Sequence, residues 1–342
     1  MSTLSLKPPK IIAVLGTTAS GKTKLAVRLA YLFNGEIVSA DSRQVYQGMD
    51  IGTGKDLDDY IIKVKSPMPT GPLRRSFSEA SRQEKSKVKI FEIPYYLIDV
   101  VSPKKQFNLA DYQRLAYQAI DKILKKGKLP ILAGGSGLYL QAAVDGWLLS
   151  KARPDRKLRQ ELEKKKTSWL FSFLKKLDKD FAKKVSQSDQ KNKRRLIRYI
   201  EIKLVETKRL PHSFQSLAMT GGGYDTLLLG LTYPKETLNQ RIDKRLEERL
   251  EQGLIEEVKR LRQQGLNWQR LEQFGLEYKF VAYYLQGKLD YEEMAEKLKT
   301  AIQQFAKRQL TWFRRWQKMG AKIHWIKSEN EAKKLIKKFL KR

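Results

Sequence analysis

The chain has 342 residues, enough for two domains or for one large domain carrying an insertion. Its 69 Lys and Arg against 37 Asp and Glu give a net charge of +32, a surplus that points to a polyanionic partner, nucleic acid before an anionic membrane. The absence of cysteine excludes a disulfide framework and thiolate chemistry, two histidines (His212 and His324) argue against zinc, and no apolar run approaches the roughly 20 residues that span a bilayer.

The first ten residues lack the apolar core of a signal peptide, so a soluble cytoplasmic protein without a membrane partner is expected. The apolar run 11–15 predicts a buried strand, and the amphipathic run 24–33 predicts a helix. Between them stands Gly16-Thr17-Thr18-Ala19-Ser20-Gly21-Lys22-Thr23, a G-x-x-x-x-G-K-T loop in the strand–loop–helix context that phosphate binding requires. Gly16 and Gly21 let the backbone turn with its N–H groups inward, and the helix N-terminus adds positive partial charge. Lys22 brings a full charge to terminal phosphates, and the Thr23 hydroxyl can hold Mg²⁺. Taken alone, the loop suggests a bound nucleoside triphosphate such as ATP.

Residues 36–41 form a short strand ending on Asp41. A parallel α/β sheet aligns its strand C-termini along one edge, so Asp41 belongs beside the phosphate loop, with Ser42, Arg43 and Gln44 continuing that edge. The loop 48–60 carries Gly52, Thr53, Gly54 and Lys55, the composition of a backbone that passes close to a ligand. Its Asp58-Asp59 pair lacks a second acid on the same helical face and reads as solvated. From 63 to 92 the pattern dissolves into prolines, Gly71 and cations including Arg74, Arg75, Arg82, Lys85, Lys87 and Lys89, either a mobile basic loop or an electrostatic aid to docking RNA.

The next predicted strand, 95–100, contains Asp99, which either supports Mg²⁺ or caps a turn. A helix over 109–125 stops at Gly127, and a strand over 129–133 leads into Gly134-Gly135-Ser136-Gly137-Leu138-Tyr139. This second glycine-rich strand-to-helix junction offers backbone N–H groups and the Ser136 hydroxyl to an anion or polar substrate. Over 151–210 there are 21 Lys and Arg against 8 Asp and Glu, a local net of +13, with helical patterns at 157–166, 169–177 and 189–207. The run Lys191-Asn192-Lys193-Arg194-Arg195, with Arg198 a turn later, is either a solvated face or a surface for a phosphate backbone, and the arginine density favours the latter.

The sheet pattern returns at 226–231. A long helix is expected over 234–261, with Arg241, Arg245 and Arg249 on one face, either paired with nearby acids or aimed at a leaving phosphate. Another spans 291–316, with Met294, Leu298, Ile302 and Phe305 towards a core; its end interleaves Trp312, Phe313 and Trp316 with cations, for core packing or base stacking. A strand at 322–326 and a basic helix at 329–342 close the chain. The expected architecture is α/β, a P-loop-type parallel sheet flanked by helices with a helix-rich C-terminal part. Its core comprises 1–150 and 222–342, and 151–221 is an all-helical basic insertion.

In this order the pieces resemble the bacterial tRNA dimethylallyltransferase family over almost the whole chain. The resemblance rests on the phosphate loop, Ser39-Ala40-Asp41-Ser42-Arg43-Gln44-Val45-Tyr46 with Gly48-Met49-Asp50-Ile51-Gly52-Thr53, Leu97-Ile98-Asp99, the Gly134–Tyr139 junction, and Ala306-Lys307-Arg308-Gln309-Leu310-Thr311-Trp312-Phe313. It implies that the loop cradles the diphosphate of dimethylallyl diphosphate. The five-carbon group then passes to N6 of the adenosine beside the anticodon (position 37) in tRNAs reading codons that begin with U, and diphosphate leaves. It assigns Asp41 as the base that an aromatic amine nucleophile needs, Ser136 as a hydrogen-bonding hydroxyl where the family has Thr, and Lys22, Arg241 and Mg²⁺ near Thr23 to the leaving charge. Asp41, Ser42, Arg43 and Gln44, with Arg194, Arg195, Leu196, Ile197, Arg198 and Arg159, become the expected tRNA contacts, and a monomer is implied. The target adenine must leave its stack to be reached. The chain departs from the family in Tyr95-Tyr96, where histidine is common, in the length of 63–92, and in Gly275-Leu276-Glu277-Tyr278-Lys279. A small-molecule relative (an adenylate prenyltransferase or nucleotide kinase) would have no use for the basic insertion, and a mere RNA binder none for Asp41.

Overall fold

The computed structural model describes residues 8–65, 88–147, 149, 152, 154–207 and 223–342. By internal contacts the chain falls into two compact units, Met1–Gly146 with Thr220–Arg342, and Trp147–Met219.

The first unit opens with β1 (Lys10–Gly16), α1 (Lys22–Leu32) and β2 (Gly35–Ser39). A short 3-10 turn (Leu57–Tyr60) leads into β3 (Ile61–Lys65), and β4 (Val88–Glu92), β5 (Tyr95–Tyr96), α2 (Leu109–Lys125), β6 (Leu129–Gly134) and α3 (Gly137–Val144) follow. The second unit holds α4 (Arg156–Glu163), α5 (Thr167–Leu177), α6 (Lys179–Lys184), α7 (Gln187–Gln190) and α8 (Lys193–Thr207). The first unit resumes with β7 (Asp225–Leu231), α9 (Lys235–Glu251), α10 (Leu254–Gln263), α11 (Trp268–Gln273), α12 (Leu276–Leu285), α13 (Tyr291–Lys318), β8 (Ile323–Ile326) and α14 (Glu329–Lys341).

Six strands form one sheet in the order β5-β2-β6-β1-β7-β8, every pairing parallel. Helices cover both faces, which is why β1 and β6 read as continuous apolar runs rather than alternating ones. On one face Ile12, Val14, Ile37 and Leu229 pack with α1 and with Ile336 and Phe339 of α14. On the other, Ile11, Ala13, Leu15 and Leu132 pack with α2, α3 and Phe313 and Trp316 of α13. A third core joins α9 to α13 and takes in Val45, Tyr46 and Met49 of the loop after β2. In the second unit, Leu162, Leu170, Leu174, Leu196, Ile197 and Ile200 form a separate core. None of the described helices is long and apolar enough to cross a membrane.

Several boundaries differ from the sequence expectation. The strand expected over 95–100 ends after two residues, because Leu97 and Asp99 adopt left-handed backbone with φ of 65° and 55°. The long helix over 234–261 is two helices, broken where Gly253 takes φ +98°, a conformation that leaves the helical ladder. The ends of the unpatterned stretch 63–92 pair as the antiparallel β3–β4 hairpin, and Arg74, Arg75, Arg82, Lys85 and Lys87 lie outside the described residues, as does His212. The Asp58-Asp59 pair is divided: Asp59 is half-buried beside Lys24, and burial pushes its carboxyl up. Trp312, Phe313 and Trp316 are core residues, the indole N–H of Trp312 donating to Gln141 and that of Trp316 to Asp145.

At the sheet edge, Glu36 of β2 is fully buried and accepts hydrogen bonds from Lys126, Lys128 and the Tyr96 hydroxyl. Burial pushes its carboxyl up, but those hydrogen bonds outweigh burial and hold it down to about 2. Tyr96, one of the departures from the family pattern, is therefore part of the packing of this edge.

Candidate active site

The strand order places the C-terminal ends of β1, β2 and β6 side by side, and three loops meet there. They are the phosphate loop after β1, the Asp41–Gln44 turn after β2 and the Gly135–Ser136 junction after β6. The phosphate loop turns through Ala19 at φ 57° and Gly21 at φ 75°, so that α1 begins at Lys22. Gln309 of α13 ties two of the loops together. Its Oε1 accepts the Thr18 N–H at 2.8 Å and its Nε2 donates to the Gly135 carbonyl at 2.9 Å. Ser136 Oγ accepts the Ser42 N–H at 3.1 Å, and Asp41 Oδ1 accepts the Arg43 N–H at 2.8 Å, while Oδ2 of Asp41 has no hydrogen bond among the described residues.

These loops floor a cavity of about 270 Å³. Of the residues singled out in the sequence, Thr18, Lys22, Thr23, Asp41, Ser42, Arg43, Gln44 and Ser136 line it. Of the three arginines spaced along α9, Arg245 and Arg249 line it. Arg241 does not: its guanidinium stacks over the Tyr233 ring at 4.0 Å. Gly54 lies against the Arg245 and Arg249 guanidiniums, at φ +64°, where any side chain would run into Arg249. Phe305, expected in the core, is 40% exposed and lines the cavity with Ile302, both apolar.

Charge in the cavity is crowded. Burial lowers Lys22 to about 8; Asp41 opposes the shift, while Arg245 and Arg249 add to it. Burial also lowers Arg249, with Arg245 pushing the same way and Glu277, 3.5 Å away, opposing. Burial pushes the Glu277 carboxyl up against the pull of Arg249. Arg245 pairs with Asp56. Tyr60, from the turn before β3, joins the lining with its phenol pushed up by burial and then by Asp59 and Asp41, so it stays a hydrogen-bond donor.

Asp99 is not among the lining residues. Its carboxylate accepts from the buried ammonium of Lys55, which also donates to the Tyr46 carbonyl at 2.6 Å and to Asp50 at 2.9 Å. Of the two residues expected to support Mg²⁺, Thr23 lines the cavity and Asp99 is engaged by Lys55. Among the described residues no group of three or more His, Asp or Glu could hold a metal ion by itself.

The second unit handles its cations differently. Arg159 donates through Nε and a terminal nitrogen to the two oxygens of buried Glu201, each at 2.6 Å. Arg198 bonds the same carboxylate at 3.3 Å and the Ala152 carbonyl at 3.0 Å. Arg195 pairs with Asp189, and Leu196 and Ile197 are core residues whose side chains point inward. Arg194 is exposed.

Local sequence pattern does not single out Tyr60, Phe305, Glu277 or Gln309 as site residues. They come from the turn before β3, α12 and α13, and only the tertiary fold assembles them. Arg245 and Arg249 carried a signal, their spacing on one helix face, but the spacing alone did not separate them from Arg241.

The family model described as IPP transferase matches residues 82–316. A tRNA dimethylallyltransferase of Syntrophus aciditrophicus is 41% identical over 321 residues, spanning 94% of each chain. Among solved structures, the full-length tRNA isopentenylpyrophosphate transferase of Bacillus halodurans superimposes with a TM-score of 0.62 at 32% identity, covering 97% of this chain and 95% of that one. A eukaryotic dimethylallyltransferase acting on tRNA gives 0.66 at 29% identity, covering 89% of this chain and 69% of that one.

Proposed function

The chain belongs to the IPP transferase family, and from that membership and the cavity we propose that it transfers the dimethylallyl group of dimethylallyl diphosphate to N6 of the adenosine beside the anticodon (position 37) in tRNAs reading codons that begin with U. The observation that carries the reading is one cavity in which a carboxylate with a free oxygen, Asp41, shares the walls with a phosphate loop, Lys22, Arg245 and Arg249. A nucleotide kinase would have no use for the basic helical insertion, and a mere RNA binder none for Asp41.

In this reading the adenine N6 attacks C1 of the allyl group. The N–C bond forms, the C–O bond to the diphosphate breaks, and its electron pair leaves on the diphosphate oxygen. The N6 proton goes to Asp41, whose orientation is set by the Arg43 N–H. Lys22, the loop N–H groups, Arg245 and Arg249 stabilise the charge that develops on the leaving group, a role that moves from Arg241 to its neighbours one and two turns along α9. Ser136 and Ser42 hold the Asp41 turn to the second glycine junction. Ile302 and Phe305 supply an apolar wall suited to the dimethyl end. Mg²⁺ remains part of the proposal through Thr23: bound with phosphate oxygens and water, as Mg²⁺ favours, it would offset diphosphate charge. The family resemblance implies a monomer, and a tRNA substrate would put the protein in the cytoplasm.

The test is incubation with undermodified tRNA and radiolabelled dimethylallyl diphosphate, followed by nuclease digestion. Label on the adenosine beside the anticodon is expected. Label in free adenine nucleotide alone would move the protein to the small-molecule class, and no transfer to either would sink the proposal.

A further inference from the structure

Glu257 of α10 is a buried carboxylate, 1% exposed, that the reaction as described does not use. Three consecutive backbone N–H groups of the loop after β2 converge on it. Oε2 accepts from Asp50 and Ile51, each at 2.8 Å, and Oε1 accepts from Gly52 at 3.0 Å. The Tyr278 hydroxyl donates to Oε1 at 2.7 Å, and the Arg260 guanidinium stands 3.9 Å from Oε2. Converging N–H groups of this kind make a concavity that binds anions. Here the anion is supplied by the protein's own chain, more than 200 residues away in sequence.

The same loop reaches the cavity two residues later. Gly52, Thr53 and Gly54 form part of its wall, and Gly54 abuts the guanidiniums of Arg245 and Arg249. Gln44 Nε2 donates to the Gly54 carbonyl at 2.8 Å, and Lys55 fastens the far end of the loop through Tyr46, Asp50 and Asp99. The connection thus runs from Glu257 through the N–H groups of 50–52 to Gly54, and from Gly54 to the two arginines.

We infer that Glu257 is a positioning residue for the diphosphate subsite: it pins the loop 50–54 so that Arg245 and Arg249 face the leaving group. This inference rests on the proposed function. A buried carboxylate holding three N–H groups fixes that backbone far better than a neutral side chain, because charge-assisted hydrogen bonds are about twice as strong as neutral ones. In Glu257→Gln the amide keeps one acceptor oxygen and turns an NH₂ towards N–H groups that need an acceptor. The loop loses its hold on one side while side-chain volume is unchanged.

Binding of inorganic diphosphate to the full chain, measured by calorimetry beside tRNA binding in the absence of donor, tests this. Glu257→Gln should weaken diphosphate binding about tenfold and leave tRNA affinity unchanged. In turnover it should raise KM for dimethylallyl diphosphate and lower kcat as well, because the two arginines also stabilise the charge that grows as the C–O bond breaks. Tyr278→Phe, which removes one hydrogen bond and keeps the ring packed against Gly52, should shift diphosphate binding the same way by a smaller factor. If Glu257→Gln does not fold, Tyr278→Phe decides the matter by the same readout. Wild-type diphosphate affinity in the folded variants, or parallel loss of diphosphate and tRNA binding, overturns the inference. If the wild type binds no diphosphate, the proposed function fails first and takes this inference with it.

Discussion

The cavity and the helical unit Trp147–Met219 are both rich in cations, yet they hold them in opposite ways. In the helical unit, Glu201 takes both Arg159 and Arg198, Asp189 takes Arg195, and Asp178 takes Lys203. The charged forms there are favoured: hydrogen bonding to Glu201 raises Arg159, and although burial pushes Glu201 up, Arg159 and the Asp155 N–H bring it down. In the cavity the protonated forms of Lys22 and Arg249 are disfavoured, burial being the largest cause for each. One region uses positive charge to hold helices together. The other keeps it under electrostatic pressure that an anionic ligand would relieve, the pattern that marks functional sites.

The comparison breaks most visibly at Asp41, the cavity's candidate base. Asp41→Ala should lower kcat for transfer by about 10²–10⁴-fold, the range for a positioned proton acceptor. Diphosphate binding should stay close to wild type, since no attraction to the anion is removed. A variant as active as wild type would reduce the cavity to a binding pocket.

Lys22 tests the pressure itself. Its pKa in the free protein is about 8, so below that pH it is charged and diphosphate affinity should be flat with respect to this group. Above pH 8 the anion must draw a proton onto Lys22 as it binds. Affinity should then fall about tenfold per pH unit until the raised pKa of the complex is reached. Lys22→Met should lose this dependence and bind diphosphate about 10–100-fold more weakly at neutral pH. A wild-type slope retained in Lys22→Met would assign the titration to another group.

Glu201→Ala probes the other side of the comparison. It leaves Arg159 and Arg198 without their shared carboxylate and the Asp155 N–H without its acceptor. Both guanidiniums are partly exposed and can hydrate, so the cost is put at about 2 kcal/mol of the helical unit's stability, read by urea denaturation. Diphosphate affinity should not change, because every residue lining the cavity belongs to the other unit. A matching loss there would mean that the two regions are not separable.

What could be read from the sequence divides along the same physical line. The phosphate loop, Asp41 and Ser136 sit at strand ends, so a local motif and the rule that parallel strands align their C-termini locate all three. Arg241, Arg245 and Arg249 share a helix face, and which of them reach the cavity depends on how α9 packs against α13 and the loop at Gly54, information absent from the spacing. Glu257 is invisible locally, since its partners lie more than 200 residues away. Asp99 was open between metal support and a turn because its distant partner, Lys55, leaves no local mark. Net charge in the helical unit is incomplete for a related reason: composition counts cations, but not which of them, like Arg159, Arg195 and Arg198, are paired and which, like Arg194, are exposed.

That last distinction sets the smallest expected effect. In the helical unit Arg194 stands exposed beside Arg195, which is held by Asp189, and is the member of the predicted set best disposed to meet a phosphate backbone. Arg194→Ala should weaken tRNA binding modestly across different tRNAs and reduce the slope of log affinity against log salt by about 1, the signature of one lost phosphate contact. Arg195→Ala should change that slope less, and lower stability instead, because Asp189 is largely buried and would be left with the Tyr199 and Ser186 hydroxyls and no cation. If Arg195 carried the salt dependence and Arg194 did not, the pairing with Asp189 would have to open on contact with tRNA. The helical unit would then, like the cavity, hold charge in reserve for an anion.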